Sequence, residues 1–284
     1  MVNPFEITTE TAWCPGCGNF AIIQALQQAL GRTGRLPHQV LLVSGIGQAA
    51  KLPQYINCNY FNGLHGRTLP AATAAKASNH ELTVVVTTGD GDCYGEGGNH
   101  LIHTIRRNPD ITLFVHNNQI YGLTKGQASP TSDPGMRTKL QTRGVTNESL
   151  NPLALAIALD ISFVARGFAG DVAHLAELMY QAIAHRGFAL VDILQPCVSF
   201  NKLNTFAWYR ERVYRLEETD YDPTDRAAAF RKAQEWGDRI PIGVVFRQER
   251  LVFEDNQPAL RRGPLAHQKT AAMADVSAVL DSFC

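Results

Sequence analysis

No apolar run in this chain approaches the roughly 18 residues that a membrane-spanning helix needs, so no membrane role is expected. Nor does charge of either sign dominate: Lys plus Arg and Asp plus Glu stand at 26 each. That balance argues against the basic stripe of a nucleic-acid binder and against an acidic, disordered solvating tail. The opening residues, MVNPFEITTETAWCPGCGNF, lack a basic segment followed by an apolar one. They do not read as a secretion signal, and a cytoplasmic location is expected. Internal repeats and low-complexity segments are also lacking. The six cysteines, Cys14, Cys17, Cys58, Cys93, Cys197 and Cys284, are not needed as disulfide staples, because 284 residues can bury a sizeable core without them.

What the chain does have is alternation. Helix-like periodicity at 19–30, with Asn19 as its cap, precedes a short apolar run at Val40 to Ser44. Helical patterns follow at 69–77, 97–107, 152–159 and 173–185, and strand-like runs at 82–88, 111–116, 161–165 and 188–194. Strands and helices taking turns predict an α/β domain with a doubly wound, mostly parallel sheet over residues 1–200. Residues 201–284 are more charged, with scattered aromatics, and read as an extension that packs on a partner. Glycine clusters at Gly45–Gly47 and Gly89–Gly91 follow two strands, where open α/β sheets bind ligands. The long polar stretch from Gly122 to Asn147 is a candidate functional loop.

The strongest signal is GDGDCYGEGGNHLIHTIRRNPDITLFVHNNQIYGLTKGQ, Gly89 to Gln127. A hard cation such as Mg²⁺ takes oxygen ligands in octahedral geometry, substrate phosphates among them. Asp90 offers a carboxylate at one strand end, Asn118 an amide oxygen at the next, and the backbone near Ile120 a carbonyl. Gly89 and Gly91 would let a diphosphate approach the backbone, and a helix opening near Gly97 could add its N-terminus. Gly-Asp-Gly alone is more often a simple turn. The paired motif, each half at a strand end, resembles the thiamine diphosphate (TPP) binding motif.

Cys14-Pro15-Gly16-Cys17 has three ordinary readings: a zinc knuckle, a thioredoxin-like redox pair or half of an iron–sulfur site. A zinc ribbon wants a second close pair, which the chain lacks, and a thioredoxin motif wants a strand before it. An iron–sulfur cluster needs four thiolates, two of which can be distant in sequence. Cys197 stands just past a predicted strand, where the ligands of the sheet gather.

Taken in order, TAWCPGCGN, VSGIG-x-A-x-K, FNGLHGRTLPAATAAK, GDGD…GGNHLIHTIRRN, HNNQIYGLTKGQASPT and QPCVSFN resemble the β subunit of 2-oxoacid:ferredoxin oxidoreductases, across most of the chain. The resemblance implies TPP, Mg²⁺ held by Asp90, Asn118 and Ile120, and one 4Fe–4S cluster. It implies CoA as acyl acceptor, ferredoxin as electron acceptor, and an α subunit that supplies the pyrimidine-binding domain not seen here. Around the cofactor it places Gly47, Gln48, Lys51, His65, Gly89, Asp90, Gly91, Asp92, Asn118, Ile120, Tyr121, Gly122 and Leu123. Arg67 is a further candidate for contacting an anion, whereas His100 and His103 read as structural. The expected reaction is oxidative decarboxylation of a 2-oxoacid to acyl-CoA and CO₂, or its reverse.

One position departs from the family. Its usual pattern is GIGC, with that cysteine a cluster ligand, and this chain reads Gly45-Ile46-Gly47-Gln48. Cys58 is the expected replacement, giving Cys14, Cys17, Cys58 and Cys197 as ligands. Cys93 sits inside the diphosphate motif and reads as packed there, and Cys284 reads as free. The loop after Ile120 should stand near the reactive carbon, where a Lys125 ammonium would pair with a second carboxylate and Leu123 would supply an apolar wall. That favours 2-oxoglutarate. The rivals are a pyruvate-type oxidoreductase, a non-oxidative TPP decarboxylase with structural cysteines, and a zinc-stabilised binding module.

Overall fold

In the computed structural model, which describes residues 3–269 and 273–283, the apolar runs become one eight-stranded sheet. In chain order the strands are β1 (Val40–Ser44), β2 (Asn59–Asn62), β3 (Thr83–Gly89), β4 (Ile111–Asn117), a separate hairpin of β5 (Ile120–Tyr121) and β6 (Gln127–Ala128), then β7 (Phe163–Phe168), β8 (Ala189–Leu194), β9 (Val213–Arg215) and β10 (Ile240–Arg247). The order across the sheet is β2-β1-β3-β4-β8-β7-β10-β9. The first six are parallel. β10 runs antiparallel to β7, and β9 follows β10.

Parallel neighbours need crossovers, and crossover helices cover both faces. The strands therefore bury alternate side chains on opposite sides. On one side Leu42, Val85, Phe114 and Val191 pack with Ile22 and Leu26 of α1 (Asn19–Arg32) and Leu175 and Leu178 of α5 (Val172–Ala184). On the other, Val43, Val86, Leu113 and Leu190 pack with Leu69 of α2 (Thr68–Ser78), Leu101 of α3 (Gly98–Arg107), Leu153 of α4 (Pro152–Ala158) and Ala229 of α7 (Arg226–Ala233). Each fully buried Val, Leu, Ile or Phe among them contributes roughly 1.5–3 kcal/mol. The short α6 (Phe206–Arg210) and α8 (Met273–Asp281) complete the helices.

The chain leaves β1 for β2 on one side and returns to β3 on the other. Strand order reverses there, and such a switch point opens a crevice at the carboxyl ends of the strands. Ser44, Gly89, Asn117 and Leu194 end β1, β3, β4 and β8 at that edge.

Several expectations shift. The cap of α1 is Gly18, and Asn19 is a buried first helical residue whose side chain serves elsewhere. β7 starts at Phe163 rather than Ile161, because Asp160 takes φ +66° and the Ile161 N–H returns to Ala156 O, finishing α4. Part of the tail expected as an extension is built into the sheet: β10 is buried from Ile240 to Phe246. Pro241, Gly243 and a register shift between Val244 and Phe246 interrupt the alternation by which a strand is read from sequence. The polar stretch 122–147 is folded back on itself, with Gly135 N–H bonded to Val145 O and Val145 N–H to Met136 O. Cys284 lies outside the described residues.

Between β4 and α1 lies a buried polar contact. His116, 0% exposed, meets Thr87 Oγ1 at 2.9 Å and Asn19 Oδ1 at 2.8 Å. Burial lowers its pKa from 6.5 to about 3, so it stays neutral in the fold. The unfolded chain takes up the proton first on acidification, so stability is complete above pH 6.5 and is lost towards pH 3. The expected slope from this group is about 1.4 kcal/mol per pH unit. Urea unfolding at stepped pH checks it: His116→Gln should flatten the acid limb, and an unchanged limb would assign it to other groups.

Candidate active site

The crevice is organised by Asp92, on a π-helical turn (Gly91–Glu96) between β3 and α3. Such turns recur at functional sites. Its carboxylate, 3% exposed, accepts from Thr88 Oγ1 at 2.5 Å, Gly66 N–H at 2.8 Å and Ile46 N–H at 3.4 Å. His65 Nδ1 lies 2.8 Å from it. One side chain thus draws together the loops after β1, after β2 and after β3. Gly45 is needed for this approach, since a Cβ there would sit 2.2 Å from Asp92 Oδ2. Gly91, expected to make room for a diphosphate, also packs on Tyr121, whose ring would lie 2.3 Å from a Cβ.

Asp90 is 1% exposed, and its Oδ2 accepts from Ser129 Oγ at 2.5 Å and Thr131 Oγ1 at 2.8 Å. Burial pushes its carboxyl up to about 6, against the lowering effect of the two hydroxyls. These partners are dipoles rather than charges, so a cation at Asp90 would relieve the cost of burying the carboxylate. Thr131 also bonds Asn117 Oδ1 at 2.8 Å, which ties Asp90 to the end of β4. Ser129 and Thr131 were not singled out from the sequence. The only cue was their position in the ASPTS stretch closing the loop.

Every residue expected around the cofactor except Lys51 lines one cavity of about 80 Å³ at this edge, among them Asp90, Asn118 and Ile120. The donors there, a carboxylate, an amide oxygen and a carbonyl, are the oxygen set that Mg²⁺ takes. The cavity is small beside the roughly 300–1,000 Å³ of an enclosed ligand pocket. Lys51 is directed elsewhere, its Nζ donating to Ala12 O at 3.1 Å. Leu123 lines the cavity, whereas Lys125 is exposed on the loop beyond, with φ +79°. Arg67 is exposed at the start of α2, and His100 and His103 lie on α3, with none of the three lining the cavity.

Cys14 and Cys17 form a turn closed by Cys17 N–H to Cys14 O at 3.0 Å. The Cys17 thiol is pushed up first by burial and then by the negative charges Cys197 and Cys14 would carry, so these three sulfurs share a neighbourhood. Cys58 stands at the amino end of β2, whereas Cys197 lies past the carboxyl end of the parallel β8, at the opposite edge of the sheet; burial pushes the Cys58 thiol up to about 12. Cys93 is buried in the core beneath α3. Gln48 is held against the segment before Cys14, its carbonyl accepting from Trp13 Nε1 at 2.9 Å. Its Oε1 is buried without a hydrogen-bond partner among the described residues. No three His, Cys, Asp or Glu side chains among the described residues gather around one metal-ion position. A cubane does not require that, because each iron takes its own thiolate.

Fold and crevice together define a thiamine diphosphate-binding α/β domain. The family model described as thiamine pyrophosphate enzyme, C-terminal TPP binding domain, matches residues 40–193. The model for the C terminal region of the pyruvate ferredoxin oxidoreductase beta subunit matches residues 197–262. The chain is 46% identical to 2-oxoacid:ferredoxin oxidoreductase subunit beta of Saccharolobus solfataricus, over 89% of this chain and 86% of that one. It is 42% identical to 2-oxoglutarate oxidoreductase subunit KorB of Mycobacterium tuberculosis, over 69% and 53% of the two chains. Among solved structures, 2-oxoglutarate:ferredoxin oxidoreductase from Magnetococcus marinus with 2-oxoglutarate, coenzyme A and succinyl-CoA bound matches with a TM-score of 0.90 at 34% identity, over 97% of this chain and 94% of that one. The chain belongs to the family of 2-oxoacid:ferredoxin oxidoreductase β subunits.

Asp90→Ala removes the only carboxylate of the proposed oxygen set. It is expected to abolish Mg²⁺-dependent TPP binding in calorimetric titration while circular dichroism shows the fold retained. Undiminished binding would take Asp90 out of the site.

Proposed function

We propose that this chain is the β subunit of a CoA-acylating 2-oxoglutarate:ferredoxin oxidoreductase that works with an α subunit in the cytoplasm. The observation that carries the reading is the convergence of Asp90, Asn118 and Ile120 on one cavity at the switch point of the sheet. These three would hold Mg²⁺ and, through it, the diphosphate. Bound TPP would supply a carbanion able to add to the keto carbon of a 2-oxoacid. His65, oriented by Asp92 through Nδ1, leaves Nε2 for the cofactor. Among the described residues, no helix is long and apolar enough to cross a membrane.

The α subunit is supported by apolar side chains left exposed near the cavity. Tyr60 and Phe61 of β2 are each 52% exposed, and Leu64 beyond them 74%. Clustered exposed apolar side chains beside a site mark a surface that a partner covers. Of the tail, the part after β10, with Leu251, Leu265 and Phe283 exposed, is the segment proposed to pack on that subunit.

A 4Fe–4S cluster passing electrons to ferredoxin is proposed on three thiolates of this chain, Cys14, Cys17 and Cys197, with the fourth iron taking a ligand other than a cysteine of this chain. Cys58, expected as the fourth ligand, is engaged with Leu42 away from them, while Gln48 stands at the position of the family's cysteine. Cys58→Ser is therefore expected to keep the full iron content of the purified complex, and Cys197→Ser to lose it. Iron loss in Cys58→Ser would return Cys58 to the set.

The substrate is proposed from the relatives named for 2-oxoglutarate and from Lys125 on the rim of the loop. A charge-assisted contact to the second carboxylate corresponds to about ten- to a hundredfold in specificity. Lys125→Ala should lower kcat/KM for 2-oxoglutarate by that factor and leave pyruvate and 2-oxobutyrate nearly unchanged. Equal losses on all three acids, or a wild type that prefers pyruvate, would overturn the substrate assignment.

A further inference from the structure

Two side chains that the proposed reading leaves without a role point at sulfur. Ser199 Oγ donates to Cys14 Sγ at 3.1 Å, and Gln195 Nε2 donates to Cys17 Sγ at 3.5 Å. The two differ in how firmly they are held. Ser199 lies two residues past Cys197 in a turn whose Asn201 N–H returns to Cys197 O at 3.3 Å. Gln195 is 2% exposed, at the end of β8. Its Nε2 also donates to Asn19 Oδ1 at 2.9 Å, and the same Asn19 oxygen meets His116 Nδ1 at 2.8 Å. The amide is thus locked by a buried ladder running from β4 through α1. Gly18 lets it pack there: a Cβ at position 18 would lie 2.6 Å from Gln195 Cγ.

We propose that Ser199 and Gln195 raise the reduction potential of the iron–sulfur cluster by hydrogen bonding to two of its thiolates. This rests on the reading that Cys14 and Cys17 ligate that cluster. A thiolate on iron carries no proton and can only accept. Uptake of one electron by the cluster adds negative charge that its sulfurs share. A donor aimed at sulfur therefore stabilises the reduced form more than the oxidised one, and the potential rises. The Gln195 amide is buried and held towards sulfur by its hydrogen bond to Asn19. The Ser199 hydroxyl can rotate. Both are positioning residues that act through the cysteines.

The test uses the αβ holoenzyme purified without air. Its cluster is titrated with dithionite against mediators and followed by electron paramagnetic resonance, with iron measured on the same samples. Ser199→Ala and Gln195→Met are each expected to move the midpoint to more negative values at unchanged iron content. Ser199→Thr, which keeps the hydroxyl, should restore the wild-type midpoint. Unchanged midpoints in both variants with iron retained would overturn the proposal and leave the proposed function standing. Loss of iron from both would show that these residues hold the cluster rather than tune it, which also overturns the proposal. A wild-type holoenzyme without iron would overturn both readings.

Discussion

The buried carboxylate of Asp92 is the interaction on which the site depends. The crevice edge is made of loops that leave β1, β2 and β3 in different directions, and nothing in a parallel sheet makes such loops converge. Asp92 does so by accepting from the Thr88 hydroxyl and from the Gly66 and Ile46 amides, with His65 against it. Charge-assisted hydrogen bonds of this kind are about twice as strong as neutral ones, which offsets the cost of taking a carboxylate out of water. The constraint reaches back into sequence, since Gly45 is the residue that lets the oxygen of Asp92 come so close.

Two aspartates separated by a single glycine therefore do different work. Asp92 is saturated by the protein and serves as a fastener. Asp90 has two hydroxyls on one oxygen and a carboxyl raised by burial to about 6. The surrounding cavity is small, at about 80 Å³. The chain thus presents a prepared surface, and the exposed Tyr60, Phe61 and Leu64 suit an assembly in which another chain closes it.

Much of this was legible in advance because it follows from periodicity. β3 and β4 were expected within a residue of where they lie, and α2, α3 and α5 within a residue at each end. Their apolar spacing is local information, and parallel order follows from the crossovers that alternation demands. The Gly-Asp-Gly and Asn-Asn ends were readable because a strand end is also a place in the fold. β10 was not readable, since Pro241 and Gly243 break the alternation and its pairing with β7 is distant in sequence. Asn19 was misread as a cap because its true partners, His116 and Gln195, lie far along the chain.

By itself, the sequence determined the family and the alternating strands and helices of its first 200 residues, because each depends on a short pattern of residue types. Only the tertiary structure decided how those residues divide the work. It tied Asp92 to the loops after β1 and β2, took Lys51 to the backbone of Ala12, and brought Ser129 and Thr131 back onto Asp90. It also gathered Cys14, Cys17 and Cys197 while packing Cys58 against Leu42. The physical reason is common to all of these. A side chain's partner is set by which distant backbone the packed sheet brings within about 3 Å of it, and spacing along the chain carries no record of that distance.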